Sequence, residues 1–125
     1  MAVLPEEVKE AWKTREKAII FNTVDKAGIP NSIYASCVKM IADDKIVVAD
    51  NFFDKTRANI LAGSPGSLLF ITEDGKAFQI KGSIEYIKEG PIFDDMKEWV
   101  PSKLPGVAAA VLVCEKVFSG AKQLA

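Results

Sequence analysis

Apolar and polar positions fall into two rhythms along this chain. Single alternation runs through residues 76–87, where Phe78, Ile80, Ile84 and Tyr86 are set between Gln79, Lys81, Ser83 and Glu85. That period of two predicts a strand with one buried and one wet face. Gly82 within it predicts a bend. A period of three to four appears first at Leu4, Val8 and Trp12. It predicts a helix over 4–15, with Pro5 in the first turn and Glu6 and Glu7 at the positive end of the dipole. Ile92, Phe93, Met96, Trp99 and Val100 form the stripe of a later helix, opened by Gly90-Pro91 and ended by Pro101.

Between these lie apolar segments bounded by turn residues. Strands are predicted over 17–24, 31–41, 45–50 and 67–73, and a helix over 54–62 that ends at Gly63-Ser64-Pro65-Gly66. The short link 42–44 and the Asp74-Gly75 dipeptide both predict antiparallel hairpins. The last strand, 106–118, differs from the rest. Val107, Ala109, Val111 and Val113 lie on one face and Ala108, Ala110, Leu112 and Cys114 on the other, so both faces require cover, from the core on one side and from a helix or a second subunit on the other. Six strands and three short helices predict a mainly β fold. A six-stranded antiparallel barrel with helices plugging its ends satisfies these demands and leaves no exposed edge.

Composition narrows the chemistry. At 125 residues the chain is read as one domain, 1–125. Its formal net charge of -1 gives no electrostatic case for nucleic acid or an anionic membrane. The longest apolar run, Val107 to Cys114, is too short to span a bilayer, and the acidic, polar start is unlike a signal peptide. A cytoplasmic location is therefore expected. The two cysteines, Cys37 and Cys114, sit in apolar strand-like segments and are read as buried small hydrophobes. There is no histidine. That excludes a Ser-His-Asp triad, a Cys-His pair and a His-ligated metal or haem within this chain. No metal site is expected, and redox chemistry here would need an organic cofactor to carry it.

One stretch carries a chemical signal. From Val47 to Ile60 a strand ends, a short loop turns, and a helix begins near Lys55. Free backbone N–H groups, the positive end of the helix, the Lys55 ammonium and the Thr56 hydroxyl could together hold a phosphate monoester. The same residues could equally be a capped, solvated helix start. Asp54 would repel a phosphate unless it serves as the N-cap with its charge turned to solvent. Arg57 is read as an exposed helix arginine, and Trp12 and Trp99 as core.

The order of these elements resembles the FMN-binding split barrel of the pyridoxamine 5'-phosphate oxidase-like family. The resemblance runs from about Glu7 to Phe118. It rests on Asn31-Ser32-Ile33-Tyr34-Ala35-Ser36-Cys37-Val38-Lys39, on Ile46-Val47-Val48-Ala49-Asp50 followed by Lys55-Thr56-Arg57-Ala58-Asn59-Ile60, on Phe78-Gln79-Ile80-Lys81-Gly82-Ser83, and on the closing valine-rich strand. The likeness extends to the small FMN-binding proteins of anaerobic bacteria. It implies a six-stranded antiparallel Greek-key split barrel with FMN as cofactor. Lys55 and Thr56 would hold the phosphate, and Ala49, Asp50 and Asn51 would pass their backbone along the flavin ring. Ser32, Ile33, Tyr34 and Ser36 would face the ring, and Asn59 would support the phosphate or ribityl region. No catalytic residue is assigned.

The sequence departs from the family in its C-terminal stretch, Ser119-Gly120-Ala121-Lys122-Gln123-Leu124-Ala125. It lacks the arginine and histidine with which pyridoxamine phosphate oxidases hold their substrate, which argues against that activity. Where the small FMN-binding proteins carry an aromatic before the last strand, this chain has Pro105 or Gly106. The expected function is a redox flavoprotein that binds FMN at a homodimer interface and exchanges electrons with a partner protein or small molecule. The alternatives are a flavin- or deazaflavin-dependent oxidoreductase acting on a small molecule, and a barrel that binds a ligand without a redox cofactor.

Overall fold

A computed structural model describes residues 2–125. In chain order it contains α1 (Glu6–Lys13), β1 (Ile19–Val24), β2 (Pro30–Ala35), β3 (Val38–Ala42), β4 (Lys45–Asp50) and α2 (Lys55–Leu61). There follow β5 (Gly66–Ile71), β6 (Ala77–Ile87), α3 (Pro91–Trp99), β7 (Ala108–Ser119) and a short β8 (Lys122–Gln123). One sheet holds every strand in the order β2-β1-β5-β6-β7-β4-β3, with β8 paired to β7. All pairings are antiparallel.

The strand predicted over 31–41 is two strands. β2 and β3 occupy opposite edges of the sheet, yet only Ser36 and Cys37 separate them in sequence. Laid flat, the six gaps between seven strands would hold those edges roughly 29 Å apart. The three peptide steps from Ala35 to Val38 reach at most about 11 Å. The sheet must therefore curl until its edges nearly meet, giving a barrel split between β2 and β3. One backbone hydrogen bond, from Ala49 N–H to the Cys37 carbonyl (2.9 Å), helps fasten the crossing. A long apolar run carries no mark of a strand that changes pairing partner midway, so one strand was expected where two are found, and the two-residue β8 brings the six expected strands to eight among the described residues.

Inward-facing residues fill the barrel. Phe21, Leu68, Phe70, Ile80 and Leu112 are at most 2% exposed. Leu4, Val8 and Trp12 join this core, with Trp12 meeting Phe70 edge-on at 5.1 Å between ring centres. α1 and, through Ile60, α2 thus contribute to the core. α3 does not plug an end. It lies on the outer face of β4 and β7, where Met96 and Val100 pack with Val47, Ala49, Ala109, Val111 and Val113. This helix answers the demand of β7 for cover on both faces, so the two-faced apolar strand by itself requires no second subunit.

Gly82 marks the predicted bend. The β6–β7 register shifts between Lys81 and Gly82. A Cβ on Gly82 would lie 1.8 Å from the Val113 carbonyl oxygen, so only glycine allows the two strands to approach. Cys114 is buried, as expected, but Cys37 is only half-buried because it sits at the crossing of the split. Among the described residues, no helix is long and apolar enough to cross a membrane. Nor do three or more His, Cys, Asp or Glu residues gather into a metal-binding group.

Candidate functional site

The split opens into a cavity of about 470 Å³. Asn31 to Cys37 form one wall, and Asn51 to Thr56 form the other, with Ala49 and Leu104 completing the lining. Each wall follows from local sequence. The β1–β2 turn is closed by Asp25, whose carboxylate accepts from the N–H groups of Ala27 and Ile29 (both 2.9 Å), and this turn sets the start of β2. The second wall is the connection from β4 to α2. Phe53 anchors it by stacking on Phe21 in the core at 6.2 Å.

Most residues singled out from sequence meet at this cavity. Lys55 and Thr56 come from the start of α2, Ala49 and Asn51 from the end of β4 and the turn after it, and Ser32, Ile33, Tyr34 and Ser36 from β2 and its exit. Thr56 is 1% exposed, and its hydroxyl accepts from Asn31 Nδ2 at 3.1 Å, joining the two walls. Lys55 takes part in none of the ion pairs among the described residues. Asn51 lends its Oδ1 to the N–H of Gly106 at 2.9 Å, tying the turn to the approach of β7.

Asp50 and Asn59 lie elsewhere. Asn59 is buried against β1, where its Nδ2 donates to Thr23 Oγ1 at 3.0 Å. The Asp50 carboxylate is fully buried and accepts from Arg57 Nε (2.7 Å) and Nη2 (2.9 Å), from the Tyr86 hydroxyl (2.5 Å) and from the Phe53 N–H (3.0 Å). Its backbone carbonyl accepts from Val107 N–H at 2.8 Å. Burial pushes the Asp50 carboxyl up, but these hydrogen bonds and the Arg57 charge outweigh it and hold the group below the usual carboxylate range. The expected exposed Arg57 is therefore a partner of Asp50. At helix spacing alone, an arginine facing a carboxylate seven residues earlier is indistinguishable from one facing water.

Asn31, Ala35, Cys37, Phe52, Phe53, Asp54 and Leu104 were not site candidates from sequence, yet all line the cavity. Two adjacent phenylalanines in a strand-to-helix turn were a usable signal, because turns rarely carry paired aromatics without something to cover. Leu104 had none, since it arrives from a segment far along the chain. Asp54 occupies the N-cap of α2 but makes no side-chain capping bond. Tyr34 and Phe52, on opposite walls, are 77% and 76% exposed.

A family model described as pyridoxamine 5'-phosphate oxidase matches residues 4–119. An uncharacterised protein of Methanocaldococcus jannaschii is 35% identical over 117 residues, covering 89% of this chain and 78% of that protein. Among solved structures, HupZ of Group A Streptococcus superposes with a TM-score of 0.80 at 21% identity, covering 93% of each chain. An FMN-binding protein from Syntrophomonas wolfei superposes with a TM-score of 0.77 at 22% identity, covering 96% of this chain and 85% of that one. At such identities the two structures speak to the fold.

Proposed function

The chain belongs to the pyridoxamine 5'-phosphate oxidase family, and on that footing we propose that it is a redox flavoprotein that binds FMN in the split and passes electrons to or from a partner. The observation that carries this reading is the cavity itself. It presents the Lys55 ammonium, in no ion pair among the described residues, beside the Thr56 hydroxyl, with the exposed Asp54 turning its charge to solvent in this reading, and Ile33, Tyr34, Ala49, Phe52, Phe53 and Leu104 give the walls apolar and aromatic surface. A site of about 470 Å³ that sets a lysine, hydroxyls and side-chain amides among apolar and aromatic residues suits a phosphorylated ligand with a flat, poorly hydrated ring. That the solved structures of this fold include an FMN-binding protein adds support.

In this reading Lys55 and Thr56 hold the phosphate, the ammonium by charge and the hydroxyl by donating to an oxygen. Ser32, Ile33, Tyr34 and Ser36 on one side and Ala49 and Asn51 on the other receive the ring. Phe52 and Phe53 shed water from it. Asn59, bonded to Thr23, supports α2 from behind. Bound FMN supplies one- and two-electron chemistry that no side chain here provides. Tyr34 and Phe52 present large apolar surfaces at the mouth, and a second copy of the chain is the proposed cover, making the working unit a homodimer. Two unpaired cysteines suit a reducing compartment, and we assign the protein to the cytoplasm.

The test is a visible absorption spectrum of purified protein with and without added FMN, followed by gel filtration. Flavin bands that co-elute with protein support the reading; protein that elutes colourless after mixing overturns it. Sedimentation at micromolar concentration is expected to give a dimer, and a monomer would remove the second subunit from the site. Steady turnover of a small molecule with a nicotinamide donor would replace the carrier role with an enzymatic one.

A further inference from the structure

Asp50 and Arg57 stand at the two feet of an arch. Every residue between them, Asn51 to Thr56, lines the cavity, while neither foot does. The feet are bolted together by a two-pronged ion pair, Arg57 Nε to Asp50 Oδ2 at 2.7 Å and Nη2 to Oδ1 at 2.9 Å. Tyr86, from β6, which is separated from β4 by β7 alone, donates to the same carboxylate at 2.5 Å, and the N–H of Phe53 ties the middle of the arch back to it at 3.0 Å. One buried carboxylate thus fixes both ends and the centre of a six-residue span. Asp50 is buried while Arg57 keeps 37% of its side chain exposed, and taking a carboxylate out of water for an ion pair is often a poor way to gain stability, because apolar replacements of similar volume can do as well. What such a pair supplies is geometry: a planar fork meeting a carboxylate permits one arrangement.

We propose that Asp50, Arg57 and Tyr86 are positioning residues that set the shape of the arch, and through it the placement of Lys55 and Thr56 against an anionic phosphomonoester, without touching the ligand. The proposal deepens the FMN reading and rests on it for the identity of the ligand. The positioning itself is a property of the protein alone. Tyr86→Phe removes one donor and leaves the ion pair; Arg57→Lys keeps the charge but removes the fork; Asp50→Asn keeps the shape but removes the charge.

Two measurements test the set in variants shown to melt cooperatively. The first is amide hydrogen exchange of the ligand-free proteins. Exchange is expected to quicken at Phe53 and its neighbours in the arch, with β5 and β6 unchanged; arch rates equal to wild type, or a uniform rise throughout the sheet, overturn the proposal. The second is affinity for FMN and for riboflavin, which lacks the phosphate. FMN binding is expected to weaken about three- to tenfold in Tyr86→Phe and more in Asp50→Asn, with Arg57→Lys between them, while riboflavin binding stays within about twofold. Parallel loss of both flavins would mean a general structural role and overturn the proposal. Wild-type protein that binds neither flavin would instead defeat the FMN reading, and the exchange measurement would still decide whether the three residues shape the arch.

Discussion

Lys55 stands at the mouth of the arch with no carboxylate paired to it among the described residues. A charge so placed is costless while it faces water and gains when an anion arrives. Lys55→Ala is expected to leave folding intact and to raise the FMN dissociation constant roughly ten- to a hundredfold, measured by quenching of flavin fluorescence. An unchanged constant would mean that the phosphate lies elsewhere. Glycine positions separate by what stands in the way. Gly82→Ala drives a Cβ into the Val113 carbonyl at 1.8 Å, where backbone must move, whereas Gly66→Ala meets the flexible end of Ile84 at 2.6 Å. The first is expected to cost about 3 kcal/mol or more in urea unfolding and the second clearly less; equal costs would refute the close approach at the bulge. At this scale the sequence was readable where a residue's role depends on its near neighbours. The strand-to-helix turn that brings Lys55 and Thr56 to the cavity is marked in the local sequence, while the phosphate role proposed for them came from the family resemblance. Arg57 and Leu104 carry no such mark, because their partners are brought to them only by the closed sheet.

Elements were legible to the extent that their pattern is local. The alternation in β6, the stripes of α1 and α3 and the Asp74-Gly75 hairpin are all where period and turn chemistry place them. The division of residues 31–41 into β2 and β3 was not legible, because pairing partners, not side-chain pattern, decide where one strand stops and the next begins. The location of α3 was half-legible. Its stripe predicts burial but not against which surface, and the second apolar face of β7 stated the need without naming the element that meets it. Met96, fully buried between α3 and the outer face of the sheet, is the peg of that contact. Met96→Ala is expected to destabilise the protein by about 2–5 kcal/mol in urea unfolding. A cost below 1 kcal/mol would show α3 to be loosely docked.

For the molecule as a whole, closure of the sheet is what creates the site. A flat sheet would leave β2 and the β4–α2 turn at distant places; curling brings them to face each other across the split. Residues 4–119, the span of the family match, run from the segment before α1 to the end of β7. The match thus spans every element but β8. Closure also explains why site residues are scattered from Asn31 to Leu104 while each wall is built from a nearly continuous segment.

The half-buried thiol at the crossing between β2 and β3 gives the protein a chemical gauge of its own. Cys37 borders the cavity and Cys114 is sealed within the core, where burial pushes its thiol up to about 11. A thiol-directed dye should therefore label native protein once, at Cys37, and a second time only after unfolding. Because the label must enter the space the cofactor would fill, the rate of that first reaction should fall as FMN is added, in proportion to the fraction of protein occupied. Labelling that proceeds at the same rate with saturating FMN would place the flavin away from the crossing. If it slows, the chain reports its own occupancy through a sulfur atom, with no need to follow the colour of the flavin.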